Sequence, residues 1–152
     1  SLGFQTVTSL RPGETANHRG LTVRATAGAP VPMVENGYLL EHESGQLYLE
    51  PHGFLDPTLP EQPLDAVITP MVDLGLPAFG TFVKGRSVAA ELVQRFQPAT
   101  MLASTSGGDV RFSGALSGIL QMNGSVEQTG RDLPTSTRWL DPSPGERLVL
   151  KP

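Results

Sequence analysis

The sequence predicts an α/β (α+β) domain with a mixed β-sheet and flanking helices. Several short segments alternate apolar and polar residues, as half-buried strands do, and clusters of proline and glycine separate them. One stretch near residue 90 instead places apolar side chains at helical spacing. The chain has 152 residues, of which 38% are hydrophobic and 17% charged, so we expect a single unit, residues 1–152, with its own core.

Four segments in the first third of the chain are predicted strands. Residues 4–10 and 21–25 alternate apolar and polar positions. Residues 38–42 and 47–50 form a predicted hairpin, because the Ser-Gly pair between them favours a tight turn. Pro51 is expected to end the second of these strands, since proline cannot donate to a β-ladder.

The middle of the chain predicts a buried strand, a loop and a helix. Residues 64–69 form the strand, and residues 70–84 are interpreted as an irregular loop because glycine and proline interrupt them. The helix is expected over residues 87–97, with Ser87 as its N-cap and Pro98 as its end.

The last third predicts shorter elements. We expect a strand at 101–103, a helix within 112–121 and a last strand at 148–150. Residues 125–128 have the Ser-x-x-Gln pattern of a capping box and predict the start of a final short helix. Trp139 is expected to pack the last helix or strand onto the sheet.

Composition excludes several classes of function. The net charge is −4 and no basic run is present, so nucleic-acid binding is not expected. No apolar run is long enough to cross a bilayer, and no secretory signal stands at the start. Without cysteine the chain has no disulfide and no thiolate metal site, which favours a cytoplasmic location or its equivalent in the plastid stroma.

The motif search finds no complete catalytic or metal-binding constellation. The three histidines, His18, His42 and His52, lack the spacing of a zinc motif, and His18 and His42 are expected to be solvated. No nucleophile elbow, phosphate loop or dinucleotide fingerprint is present. Residues 106–109 could form an anion-binding nest, although a surface turn is the favoured interpretation, and Arg111 and Arg131 are expected to be solvated.

His52 is the candidate metal ligand. It follows the strand at 47–50, and strand ends in α/β sheets are where binding sites gather. The neighbouring Gly53 permits close approach of a ligand, whereas a loop histidine bonded to the backbone is the alternative interpretation. Asp73 either faces a cleft or caps a turn, and we favour the cap.

Several passages resemble the C-terminal half of metallo-β-lactamase-fold proteins. The run LRPGE at 10–14 with GLTVRATAG at 20–28 resembles that family's "PGE … TPGH" passage. The hairpin NGYLL … LYLE at 36–50 resembles the family hairpin that ends at a metal-binding Gly-Asp. The strand LDAVI at 64–68 and the helix at 87–97 followed by PATML also match in order. The resemblance covers about residues 1–110 and is strongest to a cyanobacterial and plastid branch of metallo-hydrolase-like proteins.

The resemblance implies an incomplete fold. The family fold is an αββα sandwich, so this chain would be one αβ half of it, the C-terminal half-domain of a longer protein. Half a sandwich exposes an apolar sheet face, which is unfavourable in water. We therefore expect its own N-terminal half, a second copy or another protein to cover that face.

The chain departs from the family at the ligand positions. Ala29 stands where the family has a histidine, Pro51 and His52 stand in place of Gly-Asp, and Ser104, Thr105 and Ser106 replace the closing histidine. Only His52 matches a ligand position, so this chain alone implies no catalytic residue and no cofactor. Zinc, iron or manganese would require ligands from the N-terminal half, because a hydrolytic site needs about three.

Three interpretations of function follow, and whether the protein is an enzyme stays open. The first is a non-catalytic binding or assembly protein that kept the fold and lost most metal ligands. The second is a metal-dependent hydrolase whose other ligands lie in an N-terminal half. The third is an independent small α/β binding domain. The lost ligand positions favour the first.

Overall fold

A computed structural model describes residues 3–30, 35–104, 113–114 and 118–150. This part of the chain is a mixed α/β protein with a large mixed sheet, a small second sheet and two helices. The strands are β1 Thr15–His18, β2 Leu21–Thr26, β3 Gly37–His42, β4 Gly45–Leu49, β5 Ala66–Pro70, β6 Asp73–Leu76, β7 Gly80–Lys84, β8 Thr100–Ser104, β9 Gln121–Asn123 and β10 Arg138–Leu140. The helices are α1 Gly85–Phe96 and α2 Val126–Asp132.

The large sheet has seven strands in the order β1-β2-β3-β4-β5-β8-β10. Strands β1 to β4 form an antiparallel meander, whereas β4, β5, β8 and β10 run parallel to one another. The parallel part needs crossover connections, and α1 lies in the connection between β5 and β8. The predicted mixed sheet with flanking helices is confirmed at this level.

The core lies on one face of the large sheet, here called the inner face. Leu39, Tyr48, Val67 and Met101 project from this face and are almost fully buried. Helix α1 supplies Phe96, whose ring centroid lies 5.2 Å from that of Tyr48. The small sheet, ordered β7-β6-β9, and helix α2 join the same cluster through Leu74, Val83 and Val126.

The prediction of a loop over residues 70–84 was wrong. This region forms β6 and β7, an antiparallel pair with a bulge between Leu74 and Gly75. A Cβ at Gly75 would lie 2.8 Å from the carbonyl oxygen of Gly80, so glycine here permits close strand approach. The glycines and the proline therefore mark a bulge and a turn rather than the absence of strands.

Both terminal strand predictions were also wrong. Residues 4–9 are exposed and form no strand; the first strand is β1, which pairs with β2. Residues 148–150 join no ladder, and the last strand is β10, parallel to β8. A short apolar or mixed pattern alone does not make a strand, because the backbone also needs a neighbouring strand for its hydrogen bonds.

The helix at 112–121 lies partly outside the described residues. The described positions 113–114 and 118–120 are not helical, and Gln121 begins β9. The predicted strands at 64–69 and 101–103 correspond to β5 and β8, with bounds shifted by one or two residues.

Helix ends follow the predictions in part. Ser125 caps α2 as expected, since its hydroxyl accepts the Gln128 N–H at 3.1 Å. Ser87 is not the cap of α1, which begins at Gly85 with Lys84 in the N-cap position. The predicted packing role of Trp139 is confirmed: a Cβ on Gly130 of α2 would lie 2.3 Å from its indole ring.

Candidate functional site

The outer face of the large sheet, opposite the inner face, carries two continuous rows of apolar side chains. Cross-strand register aligns Val23, Leu40, Leu47 and Ala66 in the first row, which continues through Thr100 to Arg138. The second row crosses six strands and consists of Ala25, Tyr38, Leu49, Ile68, Leu102 and Leu140. Successive side chains of a strand point to opposite faces, so both rows share one surface.

The outer face is covered less completely than the inner face. Seven of its side chains are only half-buried: Val23, Tyr38, Leu40, Leu47, Leu49, Ile68 and Leu140. In contrast, Tyr48, Val67 and Met101 of the inner face are each 0% exposed. Both described helices pack against the inner face. The sheet therefore presents a broad, partly open apolar surface on one side.

His52 lies at the opposite end of β4 from the β3–β4 hairpin, in a tight turn. Its N–H donates to Glu50 Oε2 at 2.8 Å, and the same oxygen accepts the Phe54 N–H at 2.8 Å. Gly53 has φ 73° and approaches the start of α1 so closely that a Cβ would lie 2.7 Å from the Lys84 carbonyl carbon. Glycine is required here on both counts.

Two polar atoms in this turn are buried without a hydrogen-bond partner. One is Nδ1 of His52, which lies 3.5 Å from Glu35 Oε2. The other is Oε1 of Glu50, a residue that is 0% exposed. Burial raises the pKa of Glu50 above its ordinary value, and the backbone N–H donors of Phe54 and His52 offset only part of that rise.

A cavity of about 170 Å³ brings together two of the positions matched by the family resemblance. Ala29 and His52 both line it, beside Phe54, Phe82 and Lys84. Ser104 ends β8, and its buried hydroxyl also lacks a partner, whereas Thr105 and Ser106 lie outside the described residues.

The described residues do not fit a hydrolytic metal site by themselves. Among them, no three His, Cys, Asp or Glu residues are grouped so that they could hold a metal ion. A hydrolytic zinc site uses about three protein ligands and a bound water. His52 is thus at most one ligand of a site that other residues would have to complete.

Sequence reasoning missed a second buried carboxylate, Asp56. Its oxygens accept the N–H of Ala27 at 2.7 Å and both the N–H and hydroxyl of Thr58 at 2.8 and 2.7 Å. Burial alone would raise the pKa of Asp56, but these hydrogen bonds and the nearby Arg24 together lower it. The available signal was the Asp-Pro-Thr turn, in which an aspartate accepts from the residue two positions later.

The other predicted polar residues have structural or solvent-facing positions. Asp73 was favoured as the cap of a turn, but it binds the first turn of helix α1: its carboxylate accepts the Ser87 N–H at 3.0 Å and the Ser87 hydroxyl at 2.7 Å. His18 and His42 are exposed. Arg131 is exposed and pairs with Glu127. Residues 106–109 and Arg111 lie outside the described part of the chain.

Comparison with known proteins adds little beyond this geometry. No family model matches the chain, and no curated protein matches it. Among the solved structures that match is one from Parabacteroides distasonis, provisionally named a metal-dependent hydrolase, which aligns with 16% identity and a TM-score of 0.40. The alignment covers 62% of this chain and 44% of that protein, so the chain spans less than half of its length. At this TM-score the likeness supports no argument about function.

The class of protein defined by the described residues is a mixed α/β chain with one packed and one partly open sheet face. None of its described helices is long and apolar enough to span a membrane.

Proposed function

We propose that this chain is a non-catalytic binding or assembly unit whose outer face docks against another polypeptide layer. In this proposal it is one half of a metallo-β-lactamase-like sandwich, of the cyanobacterial and plastid branch, that has lost most metal ligands. The observation that supports the proposal is the pair of apolar rows on the outer face, most of whose members are only half-buried.

The chemistry of the outer face suits a protein partner. Completing the burial of one half-exposed leucine contributes on the order of 1 kcal/mol, and the two rows together offer seven half-buried side chains. The net charge of −4 disfavours nucleic acid. The partner is its own N-terminal half or another protein, and in either case it presents a complementary apolar surface.

Charged substitutions on the outer face test this proposal. The native chain is expected to self-associate at high concentration, as measured by sedimentation velocity. The double variant Leu49→Glu with Ile68→Glu is expected to stay monomeric, because association would bury its two new carboxylates. The matched control is Val7→Glu with Phe79→Glu, at side chains 79% and 84% exposed away from the two rows. A native chain that stays monomeric and binds no hydrophobic dye would contradict the proposal.

A metal-dependent hydrolase is the second candidate function. It is favoured by His52 Nδ1, which is buried without a hydrogen bond beside Glu35. An N-terminal half would have to provide the other ligands for zinc, iron or manganese. Metal analysis of the protein that includes this half tests the idea, with His52→Ala against His42→Ala as the control. A stoichiometric metal lost only in His52→Ala supports it, and a metal-free protein overturns it.

A further inference from the structure

The C-terminal segment lies against the outer face and partly covers it. Val149 and Leu150 line a cavity together with Leu21, Leu40 and Leu47 of the sheet. Arg138, at the far end of the first row, donates from its guanidinium to the Val149 carbonyl oxygen at 2.9 Å. The end of this segment, Val149 and Leu150, therefore lies beside the first row; residues 142–150 are here called the strap.

The strap buries little of its surface against the sheet. A groove of about 350 Å³, open to solvent, remains between the end of the strap and the sheet. Val149 is 70% exposed, and Leu148 and Leu150 are only half-buried. The strap residues belong to no β-ladder. A segment with so few buried contacts separates from its surface at low free-energy cost.

We propose that the strap is a displaceable cover that competes with the docking partner for the outer face. This inference rests on the proposed function, since it assigns a regulatory role to the same surface. When the strap lies on the sheet, Val149 and Leu150 flank the apolar cavity beside Leu40 and Leu47 and so obstruct part of the surface that a partner would contact. The apparent affinity for a partner is then lowered by the fraction of molecules in which the strap is closed.

Chemical cross-linking tests where the strap lies. The sequence has no cysteine, so introduced thiols report without background. In the full chain, Leu40→Cys with Leu150→Cys is expected to cross-link efficiently with a short bis-maleimide, because both positions line one cavity. The control is Leu40→Cys with Glu91→Cys. Glu91 is an exposed residue of helix α1, on the other side of the sheet from Leu40, so this pair is expected to stay uncross-linked. Equal yields in the two variants would overturn the strap position.

Release of the strap tests its role as a cover. Arg138→Gln with Leu150→Ser removes the hydrogen bond and one apolar contact. This variant is expected to bind the dye 8-anilinonaphthalene-1-sulfonate several-fold more strongly and to self-associate at lower concentration than the native chain. The matched control, Arg131→Gln with Val7→Ser, changes one exposed arginine and one exposed apolar residue elsewhere.

The outcomes separate the two proposals. In one outcome, the Leu40→Cys, Leu150→Cys variant cross-links and the released variant binds more dye but never self-associates. This outcome contradicts the docking function and leaves the cover proposal standing. In the other outcome, the cysteine at position 150 does not cross-link to the cysteine at position 40, yet the chain still self-associates through the outer face. This outcome overturns the cover proposal and leaves the docking function standing. If the released variant does not fold, the cross-linked Leu40→Cys, Leu150→Cys form provides the second readout: its dye binding must fall below that of the uncross-linked form.

Discussion

Asp56 shows at the scale of one residue how backbone and hydroxyl donors stabilise a buried charge. It is 4% exposed, and its two oxygens accept three hydrogen bonds from Ala27 and Thr58. The bonds join the segment after β2 to the loop after β4. Its carboxylate thus holds together two chain segments that are about thirty positions apart in the sequence.

Asp56→Ala is expected to lower the free energy of unfolding by about 3 kcal/mol at pH 7, because it removes a charged acceptor that receives three partly buried hydrogen bonds. The folded pKa of Asp56 is lowered, so its contribution is present above the unfolded pKa, about 3.9, and is lost as pH falls through the folded value. Urea unfolding from pH 7 downward should therefore show a shrinking difference from the native chain.

Asp132→Ala is the control for this prediction, because its side chain is 67% exposed and lies 3.7 Å from Arg86. It is expected to change the free energy of unfolding by less than about 1 kcal/mol. A difference for Asp56→Ala that stays constant down to pH 3 would show that the charge of Asp56 is not what stabilises the fold.

At the scale of secondary-structure elements, close backbone approach decided several features that the sequence pattern misrepresented. Gly75 and Gly80 looked like breaks, but they allow β6 and β7 to pair through a bulge. Helix α2 likewise contains Gly130, an unfavourable helix residue, at its contact with Trp139. Intrinsic propensity describes each residue alone, whereas the residue type at these positions depends on the backbone or side chain that packs beside it.

Gly130→Ala is expected to destabilise the protein by about 1 to 3 kcal/mol, the range for overpacking. In an exposed helix the same change would stabilise by about 1 kcal/mol. The new methyl group, however, would lie 2.3 Å from the Trp139 ring. Thermal unfolding measures the effect.

The double variant Gly130→Ala with Trp139→Leu provides the control for this prediction, since a smaller side chain makes room for the methyl group. It is expected to be more stable than the sum of the two single changes implies. A Gly130→Ala variant more stable than the native chain would show that α2 is not held closely against Trp139.

At the scale of the whole molecule, the two faces of one sheet have different surroundings. The inner face is closed by α1, α2 and the small sheet, whereas the outer face meets the end of the strap and keeps seven half-buried side chains among the described residues. Adjacent residues of β3 point to the two faces and differ in burial: Leu39, on the inner face, is 3% exposed, and Leu40, on the outer face, is half-buried.

Leu39→Ala is expected to cost about 3 kcal/mol of unfolding free energy, as for other buried leucines. Leu40→Ala, one position along the same strand, is expected to cost about 1 kcal/mol, because less of its surface is removed from water. Chemical denaturation of the two variants gives a matched comparison. Equal losses would mean that the outer face is a closed core and would remove the basis of the docking proposal.

The sequence by itself determined the fold class, the β3–β4 hairpin, helix α1 within two residues and the Ser125 cap. These features depend on short-range patterns: alternation, helical spacing, turn residues and a capping box. It also located His52 at a strand end, although it did not reveal Glu50 and Asp56 as buried carboxylates. Their burial depends on which distant segments fold over the end of β4, and no local pattern records that.

Only the tertiary structure decided which alternating segments become strands and which face of the sheet stays open. Residues 4–10 mix apolar with polar side chains and residues 148–150 are a short apolar run, yet neither segment joins a sheet. A strand exists only where a neighbouring strand satisfies its backbone N–H and C=O groups, and that neighbour can be far away in sequence. Likewise, the apolar residues of the two rows do not reveal their surroundings, because hydrophobicity records that a side chain avoids water, not which polypeptide covers it.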